Sequence, residues 1–121
     1  MAKKNIPNNS FDIAYLMDDP KGQITLSVTF NNIQTAKSSV KIERTEKGEF
    51  DDSFSFVLGL AKDLNGKRLK LDMVSVGRTD NEDESTAEIK LSGGKKDKIL
   101  PGEGLAKQVN SYFVRVDLIL P

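Results

Sequence analysis

Apolar and polar residues alternate along most of the chain, a pattern typical of strands whose successive side chains point to opposite faces of a sheet. The clearest run is 24–30, in which every second residue is apolar. Similar rows predict further strands at 11–17, 40–43, 54–60, 69–76, 87–91 and 112–120. Short strands with short turns favour two packed sheets. We therefore predict an all-β antiparallel β-sandwich of about seven strands, immunoglobulin-like or C2-like in architecture, with the topology undetermined.

Two of these segments need interpretation. In the row 112–120, Phe113 and Ile119 add apolar groups to the second face, which predicts a central strand covered on both sides. In 11–17 the apolar residues alternate, although Ser10 is also a suitable cap for a short helix. We interpret this segment as a strand.

The dipeptide Asn65-Gly66 is the strongest short hairpin signal in the chain, because both residues tolerate the positive φ of a type I′ turn. It predicts a hairpin between 54–60 and 69–73. The inward phase then slips after Met73, which predicts a β-bulge at that point.

The length of 121 residues suits one domain. Residues 1–10 are polar and predict a flexible N-terminal arm, so the sandwich is assigned to 11–121. The lysines near the start are followed by polar residues rather than by the apolar run of a cleaved signal peptide. Since no stretch is apolar enough to span a membrane either, we predict a cytoplasmic protein, with non-classical export left open.

The composition argues against most catalytic sites. Cysteine and histidine are absent, which removes thiolate nucleophiles, disulfides, the commonest general base and the commonest zinc ligand. The segment Ser92-Gly93-Gly94-Lys95 fits an S-x-x-K motif, but companion motifs are missing and the glycines indicate a turn. We predict a non-enzyme without cofactor, and an enzyme lacking His and Cys is the third alternative for function.

The charge balance argues against nucleic acid as a partner. The 18 basic and 18 acidic residues cancel, so no global field attracts a polyanion. The phenylalanines fall on inward rows rather than between the lysines, where stacking on bases would need them.

The acidic run 80–84 resembles the start of an EF-hand loop but fails its template. Position 6 is Ser85 where glycine is required, and position 12 is Leu91 where a bidentate glutamate is required. A solvated loop tip is the plain interpretation.

Loop parity predicts a charge separation. If seven strands alternate in direction, the odd-numbered loops gather at one end, where acidic residues are in excess, and the even-numbered loops gather at the other, where basic residues are in excess. The acidic end would contain Asp18, Asp19, Asp51, Asp52, Asp80, Glu82, Asp83 and Glu84. The basic end would contain Lys67, Arg68, Lys95, Lys96 and Lys98. Alternatively, this charge separation is an ordinary feature of a solvated surface and has no function.

These observations favour a non-catalytic protein-interaction or assembly module, binding a protein partner or itself. Head-to-tail contact between the acidic and basic ends would give a homo-oligomer, either a ring or a filament. The alternative is a calcium-dependent binding module, since clustered acidic loops could supply the six to eight oxygens that calcium takes. Its ligands would be Asp18, Asp19, Asp51, Asp52, Asp80 and Asp83.

Overall fold

The computed structural model describes residues 9–80 and 84–121, which form two β-sheets packed face to face. Within these residues there are nine strands and one short helix: β1 (Ser10–Leu16), β2 (Gln23–Asn31), β3 (Ile33–Ile42), β4 (Thr45–Asp51), β5 (Phe54–Leu60), α1 (Ala61–Leu64), β6 (Arg68–Gly77), β7 (Ser85–Ser92), β8 (Lys98–Gly104) and β9 (Val109–Ile119). In the described part of the chain, no helix has the length and apolar character needed to cross a membrane.

One sheet has the strand order β1-β9-β6-β3-β4 and the other the order β5-β2-β7-β8. Every neighbouring pair is antiparallel except β1 and β9, which run parallel. The all-β sandwich predicted from the sequence is thereby confirmed.

The core lies between the sheets and is built from the inward rows that alternation predicts. On β2 and β9 every second side chain is buried, and the residues between them point outward. The largest fully buried side chains include Ile24, Leu26, Leu69, Leu71, Met73, Ile89, Leu91, Tyr112 and Leu118.

Two edge strands, β4 and β8, were not predicted. The sequence of β4 is Thr-Glu-Lys-Gly-Glu-Phe-Asp, and its only apolar side chain that faces the core side belongs to Phe50. In β8 the buried positions after Leu100 are Gly102 and Gly104. A Cβ atom at Gly102 would lie 2.9 Å from the ring of Tyr112, so glycine leaves the space that the ring fills. The segment 93–107 is therefore a turn, a strand and a second connection rather than one loop.

The predicted hairpin at Asn65-Gly66 is wrong. Strands β5 and β6 belong to different sheets, and α1 lies between them. The turn instead contacts β9, since the Gly66 N–H donates to the Leu118 carbonyl at 2.8 Å and the Asn65 side chain accepts from the Leu120 N–H at 2.9 Å.

The predicted bulge after Met73 is also wrong, because the register of β6 against β9 continues without a shift from Arg68 to Val76. Ser75 occupies the inward phase and is fully buried, with its hydroxyl 3.5 Å from the Tyr112 hydroxyl. A buried serine therefore produced the apparent slip in the apolar pattern.

Both strand interpretations at the chain ends are confirmed, with one difference. Segment 11–17 is a strand, and β9 is central because β1 and β6 flank it. However, Phe113 is 49% exposed, so within the described residues the outer face of β9 is uncovered. Residues 1–8 of the predicted arm lie outside the described residues, while Asn9 already belongs to the sandwich through its bonds to Phe113 and Glu103.

Candidate interaction surface

The connections between strands gather at two ends of the sandwich. At one, which we call the α1 end, the Ala61 N–H donates to the Gly22 carbonyl at 2.9 Å and the Lys95 N–H donates to the Leu16 carbonyl at 3.1 Å. These bonds join α1, the β1–β2 connection and the β7–β8 turn. The α1 end therefore holds Asp18 and Asp19 together with Lys67, Arg68, Lys95, Lys96 and Lys98.

The predicted acidic end is consequently wrong for Asp18 and Asp19. Strand β4 was not predicted from the sequence, and each extra strand moves the loops that follow it to the opposite end of the sandwich. The loops between β4 and β8 therefore lie at the end opposite to the predicted one, and the second extra strand, β8, returns the last loop to its predicted end. The remaining acids lie at the opposite end, near the start of β3 and the end of β6. They are Asp51, Asp52, Asp80 and Glu84, while Glu82 and Asp83 lie outside the described residues.

Two carboxylates of this second group, those of Asp80 and Asp52, already have partners in the chain. Asp80 accepts two bonds from Arg78, at 2.9 and 2.6 Å, and this side-chain pairing lowers the pKa of Asp80 and raises that of Arg78. Asp52 accepts the Ala36 N–H at 3.2 Å. In the ranges 9–80 and 84–121, no three acidic or other metal-ligating side chains come close enough to hold a metal ion. Of the predicted calcium ligands, Asp18 and Asp19 lie at the α1 end and Asp51, Asp52 and Asp80 lie at the opposite end. The sixth, Asp83, lies outside the described residues.

The five predicted basic residues do share one end, but they are not equivalent. The Arg68 guanidinium bonds to Asp117 at 2.8 Å and to Asp12 at 3.0 Å, and these hydrogen bonds raise the pKa of Arg68. Its charge is therefore balanced by this chain. Lys67, Lys95, Lys96 and Lys98 are exposed.

A group of exposed apolar residues lies elsewhere, on the outer face of the five-stranded sheet. Val74 is 44% exposed, Val109 is 68% exposed, and the ring of Phe113 is half exposed beside them. Val76 is half-buried and lies directly across from Val109 in the ladder. We call these four residues on β6 and β9 the apolar corner.

A shallow groove borders the apolar corner along β3 and β4. Its volume is about 560 Å³. It is lined by Lys37, Ser38, Ser39, Glu49, Phe50, Asp51, Asp72 and Val74. Asp72 is held at the rim by a 2.8 Å bond from Arg115. An apolar patch beside a groove with charged walls has the composition of a protein-binding surface, in which a desolvated centre is surrounded by polar residues.

Sequence reasoning missed this surface although a signal was present. Val74 and Val76 fall on the polar phase of β6, and Phe113 falls on the polar phase of β9. We interpreted the valines as a bulge and the phenylalanine as a sign of coverage on both faces. The structure shows that all three are apolar residues on an outer face.

A second recess, the β1 recess, lies between the edge of β1 and the β7–β8 turn. Its volume is about 340 Å³. It is lined by Ala14, Tyr15, Leu16, Lys95, Lys96, Asp97 and Lys98. The Tyr15 hydroxyl accepts the Gly94 N–H at 2.9 Å, and burial raises the pKa of Tyr15. This bond fixes the turn that carries the three lysines.

Comparison with known proteins identified no similar protein. No protein-family model matches the sequence, and no significant match was found among curated proteins or solved structures. Function is therefore inferred from the surfaces described above.

Proposed function

We propose that this protein is a non-catalytic interaction module that associates with a second copy of itself through the outer face of the five-stranded sheet. The observation that supports the proposal is the apolar corner. Its residues lie on β6 and β9, the two strands next to one another inside the sheet, rather than on a frayed edge. Single exposed apolar residues are ordinary, but a contiguous apolar group with polar surroundings is typical of binding sites.

The energy available is modest and suits reversible association. Burying the exposed part of a half-exposed valine or phenylalanine contributes about 1 kcal/mol, judged from the transfer energy of a whole side chain. The four side chains together contribute about 4 kcal/mol on this basis, against the loss of translational and rotational freedom on association. The groove beside them must therefore add contacts. We expect weak, concentration-dependent association rather than an obligate dimer.

The charges on this face favour a second copy as the partner. On β3, Lys37 and Lys41 point outward beside the acidic outward residues of β4, and the ladder pairs Lys37 with Asp51 and Lys41 with Glu46. Adjacent columns of opposite sign are self-complementary about a two-fold axis, because the basic column of each copy can face the acidic column of the other.

The sequence-based hypothesis of head-to-tail association is the second candidate, and it has less support. Asp18 and Asp19 lie among the lysines of the α1 end, and Asp80 at the other end is paired with Arg78. Both arrangements reduce the charge difference between the ends.

Size exclusion coupled to light scattering over a range of protein concentrations tests the proposal. We expect the mass to rise above the 13.4 kDa of the monomer as the concentration increases, at both low and high salt, since the contact is largely apolar. The double variant V109S/F113S should remain monomeric. The control V57S/I99S changes two apolar residues on the outer face of the other sheet, which are 49% and 51% exposed. It should associate like the wild type.

Three other outcomes of the light-scattering experiment would contradict the proposal. Association that salt reverses, and that V109S/F113S leaves intact, would support contact between charged ends instead. A monomer at every concentration would refute self-association. Equal loss in both double variants would show that the effect is not specific to the apolar corner.

A further inference from the structure

The two open sheets have four edge strands, and three of these carry features that discourage pairing with another chain. Strand β4 is highly charged and has a register shift opposite Val40 and Lys41. Strand β5 also has a register shift, and the ring of its Phe54 stacks on Phe50 of β4 with centroids 4.3 Å apart. Strand β8 contains Pro101, which has no N–H to donate.

Strand β1 has none of these features. Its sequence is Ser-Phe-Asp-Ile-Ala-Tyr-Leu, with one charged residue, and its pairing with β9 shows no register shift. The Asn9 carbonyl and the Met17 N–H both bond to β9. In a parallel pair, alternate residues direct both backbone groups to the same neighbour. The backbone groups of Asp12 and Ala14 therefore point away from β9, toward the open edge.

Three lysines lie at the α1 end of the open edge. The Lys95 N–H bonds to the Leu16 carbonyl at 3.1 Å and closes the edge at the α1 end, while the Asn9 side chain bonds to the Glu103 backbone of β8 and closes it at the other end. The outward groups of Asp12 and Ala14 lie between these two closures. The β1 recess lies there, with an apolar floor from Ala14 and Leu16 and with Lys95, Lys96 and Lys98 around it. Its one acid, Asp97, lies 3.6 Å from Lys90 and is thereby partly neutralised. The three lysines have no ionic partner among the described residues.

We propose that β1 accepts an extended acidic peptide segment by strand addition. The backbone of the peptide pairs with Asp12 and Ala14, and its carboxylates contact Lys95, Lys96 and Lys98. Strand addition takes its affinity from main-chain hydrogen bonds and its specificity from side chains that meet flanking pockets, and the β1 recess supplies such a pocket. This surface is separate from the apolar corner, so the inference does not depend on self-association.

The probe is a fluorescein-labelled nine-residue peptide in which glutamate alternates with valine and threonine. Two matched probes accompany it: one has lysine in place of glutamate, and the other is methylated on alternate backbone nitrogens. Binding is measured by fluorescence anisotropy at about 150 mM salt, where charges more than about 8 Å apart are largely screened. We expect saturable binding of the acidic probe and at least tenfold weaker binding of both matched probes.

Variants locate the binding. K95E/K96E/K98E should weaken binding of the acidic probe at least tenfold. The control K21E/K62E/K67E makes the same change in net charge at the same end of the sandwich, outside the recess, and should change binding less than threefold. A14P removes an outward N–H and should also weaken binding at least tenfold, whereas A14V retains the N–H and should bind normally. Circular dichroism confirms that each variant is folded.

Several results would overturn the inference. Absence of saturable binding of the acidic probe to the wild-type protein is one. Equal losses in the two triple variants would show that only net charge matters. Undiminished binding of the N-methylated probe would show that the peptide does not pair with the strand. Stronger binding to vesicles of phosphatidylserine than to the peptide would assign the lysines to a membrane surface instead.

Discussion

Replacing Asn110 by alanine tests whether a buried amide holds the connection between β8 and β9. The Asn110 side chain is buried, and its oxygen accepts the Leu105 N–H at 2.9 Å. Its nitrogen donates to the Leu105 carbonyl at 3.0 Å and to the Gln108 carbonyl at 3.2 Å. One side chain thus bonds to three backbone groups of a four-residue connection, and it is the partner inside the protein for both backbone groups of Leu105.

The expected cost follows from which of these groups can reach water after the substitution. Leu105 is buried, so its N–H and carbonyl would both lose their partner inside the protein. The Gln108 carbonyl would keep its bond from the Gly77 N–H at 2.9 Å. An unsatisfied buried backbone group costs about 1–3 kcal/mol, so with two such groups N110A should lose about 2–6 kcal/mol of unfolding free energy. The control N65A removes one exposed bond to the Leu120 N–H and should lose about 0.5–1 kcal/mol.

Urea denaturation followed by circular dichroism measures both variants, because the chain has no tryptophan to report unfolding by fluorescence. The slope of the free energy against urea should be the same in the wild type and both variants, which shows that the same surface is exposed. If N110A lost no more stability than N65A, the buried amide would not be the anchor of this connection and the reasoning would be refuted.

Three further substitutions test the interior by the same denaturation measurement. G104A places a Cβ against the Ser85 hydroxyl and 2.7 Å from the Asn110 side chain, and it should cost about 1–3 kcal/mol; no loss would show that both side chains can move aside. S38A removes a buried hydroxyl that has no partner in the described residues, so stability should stay equal or rise by about 1 kcal/mol, and a clear loss would reveal a missed bond. Burial raises the pKa of Tyr15 above its unfolded value of about 10, so this tyrosine contributes stability below about pH 10 that is lost as the pH rises through the folded pKa. Y15F removes the bond from the Gly94 N–H and should lower the unfolding free energy by about 1 kcal/mol at neutral pH. Its unfolding free energy should also fall less at alkaline pH than that of the wild type. An equal alkaline fall in both proteins would show that another group causes it.

The strands that the sequence predicted correctly are those whose burial is one-sided and apolar. In β2 every inward position is apolar, and in β7 every inward position after Ser85 is apolar, so the alternation by itself identifies the strand and the core row. Strand β4 has no such row, because its pairing with β3 is made by the backbone and six of its seven residues are charged, polar or glycine. Phe50 was the one available sign: an isolated aromatic residue in a polar segment marks the inward face of an edge strand.

Strand β8 was missed for a different reason. Its inward positions after Leu100 are glycines, since the ring of Tyr112 and the amide of Asn110 occupy the space opposite them. The period of two is present in β8, but as small residues rather than as apolar ones. A search for alternating hydrophobic residues cannot detect a strand whose inward positions are glycines.

These two omissions explain why the site prediction failed at the ends of the sandwich and why the faces were more informative. The end at which a loop lies depends on how many strands precede it, so a single missed strand moved Asp18 and Lys67 to the same end. The face on which a residue lies depends only on the phase within its own strand, which is a local property. By that criterion Val74 and Phe113 were recognisable as apolar residues on an outer phase. Whether they are covered depends on a third layer, and none of the described residues forms such a layer over the apolar corner.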